Sequence, residues 1–301
     1  MTTIAILGAT GHIGKALATE LNADPNVELL LYARRPDAIL GGIDIAEFGK
    51  LPFDVVINAV GAVTPAGVRE LGAEIFTVTE TVDNSVLAVL NNFPKALYLF
   101  LSSGAVYGTD FTKPARKDTV NKLPINALDP SHFYGLSKIN AEAKHRGHSE
   151  LNIIDLRVFS FFSRFIDLEA RFFITDAIHA IQDGTVLKTS RQDIIRDFVT
   201  PPDFAHLINC CIKTWRNSDT PVNAALDVYS KATVGKFDLL NQIKADFPFD
   251  YDLEDDAGLV STGPKSNYYS LDHSAEDWGY TPEFTSIDGV LRELSDLLAT
   301  S

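Results

Sequence analysis

The sequence predicts an α/β protein: a Rossmann-type doubly wound parallel sheet with a smaller C-terminal substrate-binding cap. Three observations predict it. From Thr3 to about Phe159, short apolar or β-branched runs alternate with helix-length amphipathic ones, the rhythm of βαβ units. A glycine-rich run, GATGHIG, falls at the first strand-to-helix junction. The strand runs are apolar throughout, as expected of strands covered on both faces.

The first strand, TIAIL, feeds the glycine run and then a helix from Gly14 to Leu21. Further strands are expected at ELLLY, DVVIN, ALYLFLS and NIIDLRV. Between them, helices are expected from Val68 to Asn91 and from Ser131 to Lys144; Pro130 and Ser131 form the start signal of the second. After Phe159 the aromatic-rich, helical run SFFSRFIDLEARFFITDAIHAIQDGTVL departs from the alternation, and here the chain should leave the sheet. A helix from about Pro202 to Trp215 and the strand AALDVYS bring it back. From about Gly235 the tail mixes helix patterns with the acidic run DFPFDYDLEDD and the loop STGPKSNYYSLD.

At 301 residues and 46% apolar content the chain can bury one large core or two unequal ones. Its net charge of -14 disfavours nucleic-acid backbones and anionic membrane surfaces as partners, so a polyanionic ligand must be met by a few local basic residues. The two cysteines, Cys210 and Cys211, are adjacent in the apolar run AHLINCCIKTW and read as small core residues. Neither a disulfide nor a metal cage is expected of them. Met1 is followed almost at once by TIAILGAT, with no basic segment, apolar signal core or cleavage site, which predicts a cytoplasmic protein. No stretch approaches the roughly 18 to 20 apolar residues of a membrane span.

Glycines at a strand-to-helix turn let the backbone approach a pyrophosphate, and the helix N-terminus offers it unpaired N–H groups and a positive dipole end. Gly8, Thr10, Gly11, His12, Ile13 and Gly14 of GATGHIG are therefore candidate cofactor contacts, spaced GxxGxxG. At the end of the second strand, LLLYARRPD places Arg34 and Arg35 where an NAD site usually has an acid for the ribose hydroxyls. An arginine there can pair with a 2′-phosphate, so NADP is favoured and NAD is the alternative. Asp44 and Ile45 lie where a side chain and the backbone could meet adenine, and Ala59 and Val60 of NAVG end the next strand at the cofactor cleft. Val158, at the end of NIIDLRV, is a further candidate cofactor contact, and Ser160 a candidate substrate contact.

LYLFLSSGAVYG ends a buried strand in Ser102 and Ser103, at the same sheet edge as the glycine turn. A hydroxyl there can bond a substrate carbonyl or alcohol, shared with a tyrosine from the following helix. Tyr134 and Lys138, in YGLSKINAE, stand at i and i+4, about 6 Å apart along a helix axis and on one face. A free tyrosine is a poor base near neutral pH until a nearby ammonium stabilises its phenolate, and Lys138 could supply that charge.

Together these residues resemble the extended short-chain dehydrogenase/reductase family, particularly its NAD(P)-dependent nucleotide-sugar epimerase, dehydratase and reductase branch, over nearly the whole chain. GATGHIG matches the cofactor turn, SSGAVYG the strand with the catalytic Ser or Thr, and YGLSKINAE the Tyr-x-x-x-Lys helix. RDFVTPPDFAHLI looks like the family's Arg-Asp-Phe-Val segment, and LDHSAEDWGYTP like its C-terminal segment. The resemblance implies Ser103 as the bonder of the substrate oxygen and Tyr134 as acid/base. It also implies that Lys138 lowers the tyrosine pKa and binds the nicotinamide ribose, and that Arg196 meets the pyrophosphate of a nucleotide sugar. Residues 1–160 would form the dinucleotide-binding domain, with about 202–230 returning to it, and about 161–201 and 231–301 would form most of the cap.

The 4,6-dehydratases usually carry an Asp-Glu pair after the catalytic hydroxyl, and combined 3,5-epimerase and reductase enzymes a cysteine; this chain has Gly104 and Ala105. Plain hydride chemistry remains. After LRV the family usually continues with an aromatic, an Asn and a Tyr-Gly-Pro-like turn, whereas here Phe159 and Ser160 precede FFSR, and Lys265 stands near an expected arginine. The leading expectation is NADP-dependent reduction of a nucleotide-linked keto sugar. The alternatives are a nucleotide-sugar 4-epimerase with retained NAD and, of another class, a non-enzymatic NADP-binding sensor. A homodimer paired through helices Val68 to Asn91 and Ser131 to Lys144 is implied by the resemblance.

Overall fold

A computed structural model of the chain describes residues 1–61, 65–170, 172–255 and 265–299. In chain order the sheet half comprises β1 (Thr2–Leu7), α1 (His12–Leu21), β2 (Val27–Ala33), β3 (Gly42–Asp44), β4 (Val55–Asn58), α2 (Pro65–Leu71), α3 (Glu74–Leu90), β5 (Leu97–Ser103), α4 (Pro130–Gly147) and β6 (Asn152–Val158). There follow β7 (Ser160–Phe161), α5 (Phe173–Asp183), β8 (Val186–Ser190), β9 (Ile195–Arg196), β10 (Phe198–Val199), α6 (Pro201–Arg216) and β11 (Asn223–Val228). The chain ends with β12 (Val234–Gly235), α7 (Lys236–Asp246), β13 (Asp250–Glu254), β14 (Asn267–Tyr268) and α8 (Ser286–Ala299).

Seven strands form one sheet in the order β11-β6-β5-β4-β1-β2-β3, every pairing parallel. The order reverses between β1 and β4, which opens a crevice at their carboxyl ends, where α/β sheets of this type bind ligands. Ile4, Ile6, Val55, Ile57, Leu97 and Leu99 pack on one face with residues of α1 and α6, including Cys210 and Cys211. Ala5, Leu7, Val56, Tyr98, Phe100 and Ile153 pack on the other with residues of α3 and α4. Double coverage is why these strands read as unbroken apolar runs. Both cysteines are buried and free.

Three expectations are corrected. The helix expected from Val68 to Asn91 is two helices, α2 and α3, because Gly72 turns the chain between them with φ +50. Among the described residues, the helical run expected after Phe159 is helical only in α5; β7 precedes it because Ser160 and Phe161 pair with Phe198 and Val199 of β10. The loop expected at STGPKSNYYSLD begins outside the described residues, and from Lys265 onward it carries β14, which pairs with β9.

Away from the sheet, Ile178, Leu187, Leu239, Ile243, Val290 and Leu294 form a separate apolar cluster built from α5, β8, α7 and α8. Beneath the sheet, a polar network is buried on the α3/α4 side. His145 lies between Asp83 and Asp155, its Nε2 2.8 Å and its Nδ1 2.6 Å from their Oδ1 atoms. Tyr98 Oη donates to Asp83 Oδ1 at 2.8 Å and accepts from Asn58 Nδ2 at 3.0 Å, while Asn58 Oδ1 accepts from the Val60 amide at 3.1 Å. The network thus reaches from α4 to the turn after β4 and holds it against the crevice.

Candidate active site

The turn after β1 is shaped for close backbone approach. Gly8 has φ +82, and a Cβ on it would lie 2.9 Å from the carbonyl oxygen of Ala59. A Cβ on Gly14 would lie 2.2 Å from the Gly8 carbonyl oxygen. Helix α1 then starts at His12 with Gly11 as an N-cap that has no side chain to occupy the first amides. His12, Ile13 and Gly14 therefore present backbone donors at a positive helix end. Thr10 is half-buried beside them. The His12 ring turns away and packs 5.1 Å from the Phe161 ring, and burial pushes its pKa down to about 4. Its contribution at this turn is the backbone.

Arg34 and Arg35 are exposed directly after β2. Asp44 ends β3 and caps the turn Ile45–Glu47, its Oδ1 accepting from the Ala46 amide at 2.9 Å, while Ile45 packs against the core. Ala59 and Val60 are half-buried at the end of β4. A Cβ on the next residue, Gly61, would stand 3.9 Å from Lys138 Nζ, so the crevice runs directly to α4.

The two serines ending β5 have different surroundings. Ser102 Oγ donates to Glu142 Oε1 at 2.6 Å, and Glu142 in turn holds Arg157 by a 2.6 Å ion pair. Ser103 is in register with Val158 of β6 and its Oγ accepts from the Ala105 amide at 3.2 Å. Helix α4 starts with Asp129, whose carboxylate accepts from the Ser131 amide at 2.8 Å. It packs tightly on the turn Gly104–Tyr107: a Cβ on Gly135 would lie 2.7 Å from the Ala105 carbonyl oxygen. This contact carries Tyr134 to Ser103. Burial raises the Tyr134 pKa, and its interaction with the neighbouring Ser103 side chain opposes the rise.

Lys138 is buried one helical turn on. Its ammonium donates to the Leu101 carbonyl at 2.9 Å and lies 6.0 Å from the centroid of the Tyr134 ring. Burial lowers its pKa to about 8, against the pull of Asp83, Glu142 and Asp155. In this structure burial is thus the largest influence on the phenol, and its sign is opposite to the effect the family resemblance assigns to Lys138.

Arg196 reaches the site from β9. Its Nη1 donates to the carbonyl oxygens of Ile195 at 2.8 Å and Lys265 at 2.7 Å. Its pKa is lowered to about 10 and that of Lys265 to about 8, both by burial. Two cations therefore sit side by side, an arrangement suited to a dianion. Ser160 is held in β7 opposite Phe198. Sequence reasoning missed Tyr268, which register places beside Arg196 and whose Oη lies 3.2 Å from Ser103 Oγ. It also missed Tyr107, whose hydroxyl donates to Asp227 at 3.0 Å and accepts from Arg157 at 2.8 Å. Tyr107 lies within SSGAVYG but its partners come from β6 and β11, and Tyr268 reaches Ser103 from β14, so their contacts depend on the tertiary arrangement.

The fold and this site define a Rossmann-type α/β protein of the extended short-chain dehydrogenase/reductase class, with a glycine turn and a Ser, Tyr and Lys set at one sheet edge. The NAD dependent epimerase/dehydratase family matches residues 4–225, and the chain belongs to that family. Comparison with curated protein sequences finds no match. Among solved structures, the chain is similar to UDP-glucose 4-epimerase from Bifidobacterium longum in complex with NAD+ and UDP, with TM-score 0.79 and 16% identity over 100% of this chain and 99% of that one. It is similar to UDP-glucuronic acid 4-epimerase from Bacillus cereus in complex with UDP-glucuronic acid and NAD, with TM-score 0.76 and 15% identity over 99% and 100% of the two chains. It is also similar to ADP-L-glycero-D-manno-heptose-6-epimerase from Helicobacter pylori, with TM-score 0.74 and 18% identity over 99% and 96%.

Proposed function

We propose that this protein is an NAD(P)-dependent oxidoreductase of nucleotide-linked sugars, acting by hydride transfer, and that its reaction is the NADP-dependent reduction of a keto sugar. The observation that carries this reading is the meeting of Tyr134 with Ser103 at the carboxyl edge of the sheet, one helical turn from Lys138 and opposite the free amides of α1. The glycine turn fits a dinucleotide, since Gly8 and Gly14 let the turn fold tightly against the backbones of Ala59 and Gly8, and Gly11 leaves the first amides of α1 without a side-chain cap. His12, Ile13 and Gly14 would hold the pyrophosphate, Arg34 and Arg35 a 2′-phosphate, and Lys138 the nicotinamide ribose. Ala59, Val60, Val158, Asp44 and Ile45 would line the remainder.

When bound, the cofactor supplies the hydride to the carbonyl carbon. The phenol of Tyr134, kept protonated by burial, gives its proton to the carbonyl oxygen as negative charge develops there. Ser103 donates a hydrogen bond to the same oxygen. Arg196 and Lys265 hold the diphosphate, and Ser160 lies on the substrate side. A non-enzymatic sensor has no need of this assembly.

A second reading, a 4-epimerase that retains NAD, is supported by the similarity in fold to the epimerases above. Purifying the protein and identifying any retained cofactor separates the two: tightly held NAD not consumed in turnover sinks the reductase. Calorimetric titration with nucleoside diphosphates and sugar nucleotides tests the substrate class. Failure of all of them to bind sinks both readings.

The same reading includes a cytoplasmic homodimer paired through α3 and α4, with residues 1–160 and about 202–230 as the cofactor domain and the remainder mostly as cap. Sedimentation at equilibrium tests the dimer. Among the described residues, no helix is long and apolar enough to cross a membrane.

A further inference from the structure

The hydroxyl of Ser103 is flanked by two phenols. Tyr134 arrives from α4, and Tyr268 arrives from β14, its Oη 3.2 Å from Ser103 Oγ. Tyr268 is firmly placed. Parallel pairing sets it opposite Arg196, and the neighbouring Asn267 amide donates to the Phe111 carbonyl at 2.8 Å while the Tyr269 carbonyl accepts from the Ala115 amide at 2.9 Å. Its ring packs against those of Phe111 and Phe159, with centroids 4.7 and 5.2 Å away. Lys265 Nζ and the Arg196 guanidinium stand 4.8 and 5.9 Å from its centroid. One side chain therefore spans the distance from the paired cations to the hydroxyl that faces the reacting centre.

We propose that Tyr268 contacts the substrate, its hydroxyl serving with Ser103 and Tyr134 as a third hydrogen-bond donor to the oxygen on the reacting carbon of a nucleotide-linked sugar. The proposal rests on the hydride-transfer reading above. Ser103 Oγ accepts from the Ala105 amide and lies 3.2 Å from Tyr268 Oη, a contact in which either hydroxyl can donate; a substrate oxygen placed beside both can accept from each in place of that contact. With its ring held by packing and a strand pairing, this donor needs only to turn its O–H when substrate binds and is then in place as negative charge grows on that oxygen, which is where preorganised donors are most effective. The ring keeps the sugar end in line with the diphosphate held by Arg196 and Lys265. Tyr134 remains the proton donor; Tyr268 supplies a hydrogen bond only.

The test is Tyr268→Phe, which keeps the ring, its aromatic neighbours and the cation faces, and removes only the hydroxyl. Wild type and variant are assayed by nicotinamide absorbance against a panel of uridine, thymidine and guanosine diphosphate sugars, with thermal melting as the control. The expected result is a fall in kcat of about 100-fold with KM nearly unchanged and the melting temperature retained. An unchanged or higher kcat overturns the proposal, as does a loss confined to KM or accompanied by an equal loss of stability. If wild type itself transforms nothing in the panel, the proposed function has failed and this inference falls with it. That outcome is read from wild type alone.

Discussion

The ring of Phe159 occupies the space that a side chain at residue 104 would need: a Cβ built on Gly104 would lie 2.4 Å from ring carbons of Phe159. The ring cannot easily withdraw, because Tyr107 is stacked 6.1 Å from it and Phe111 and Tyr268 close its other sides. The absence of an acid or cysteine beside Ser103 is therefore built into the packing. Gly104→Ala should lower stability by about 1–3 kcal/mol through overpacking, measured as a shift in the urea midpoint. Combining it with Phe159→Leu should cost less than the sum of the two single changes. Strict additivity would show that the ring moves aside freely.

Tyr134→Phe should reduce turnover by about 10²–10⁴-fold while leaving the melting temperature nearly unchanged, because only the hydroxyl proposed as acid/base is lost. The wild-type rate should also fall as pH rises through about 8, where Lys138 loses its charge. A pH–rate profile that stays flat beyond this point would separate Lys138 from the chemistry.

His145 is held protonated between Asp83 and Asp155, and its pKa is raised to about 9 from 6.5 by hydrogen bonds and charge attraction that exceed the cost of burial. Since the folded value exceeds the unfolded one, this stabilisation is fully present below about 6.5 and is lost as pH rises through about 9. Unfolding free energies from urea titrations should decline over that window by an amount on the order of 1–3 kcal/mol. In His145→Gln the decline should largely vanish. A slope retained in the variant would assign it to other groups.

Replacing Arg34 and Arg35 by alanine should weaken NADPH binding by about 10-fold or more and leave NADH binding nearly unchanged, as expected for lost charge-assisted hydrogen bonds to the 2′-phosphate. Fluorescence titration of both cofactors checks this. Equal effects on the two would remove the case for NADP.

The amino-acid sequence by itself determined the sheet strands β1, β2, β4, β5, β6 and β11, the glycine turn, the order of the motifs and the family resemblance. Each depends on local spacing: apolar runs for buried strands, glycines at one turn, Tyr134 and Lys138 at i and i+4 on one helix face. Helix boundaries were less legible where one backbone angle decided them, as at Gly72 with φ +50. What only the tertiary structure decided are relations between residues far apart in the chain. Tyr268 reaches Ser103 across 165 positions, and His145 meets Asp83 across 62. Phe159 meets Gly104 because β6 pairs beside β5. Such contacts follow from strand register and packing, which no short window of sequence encodes. The structure therefore adds a second phenol beside the serine and shows Lys138 hydrogen-bonded to the Leu101 carbonyl.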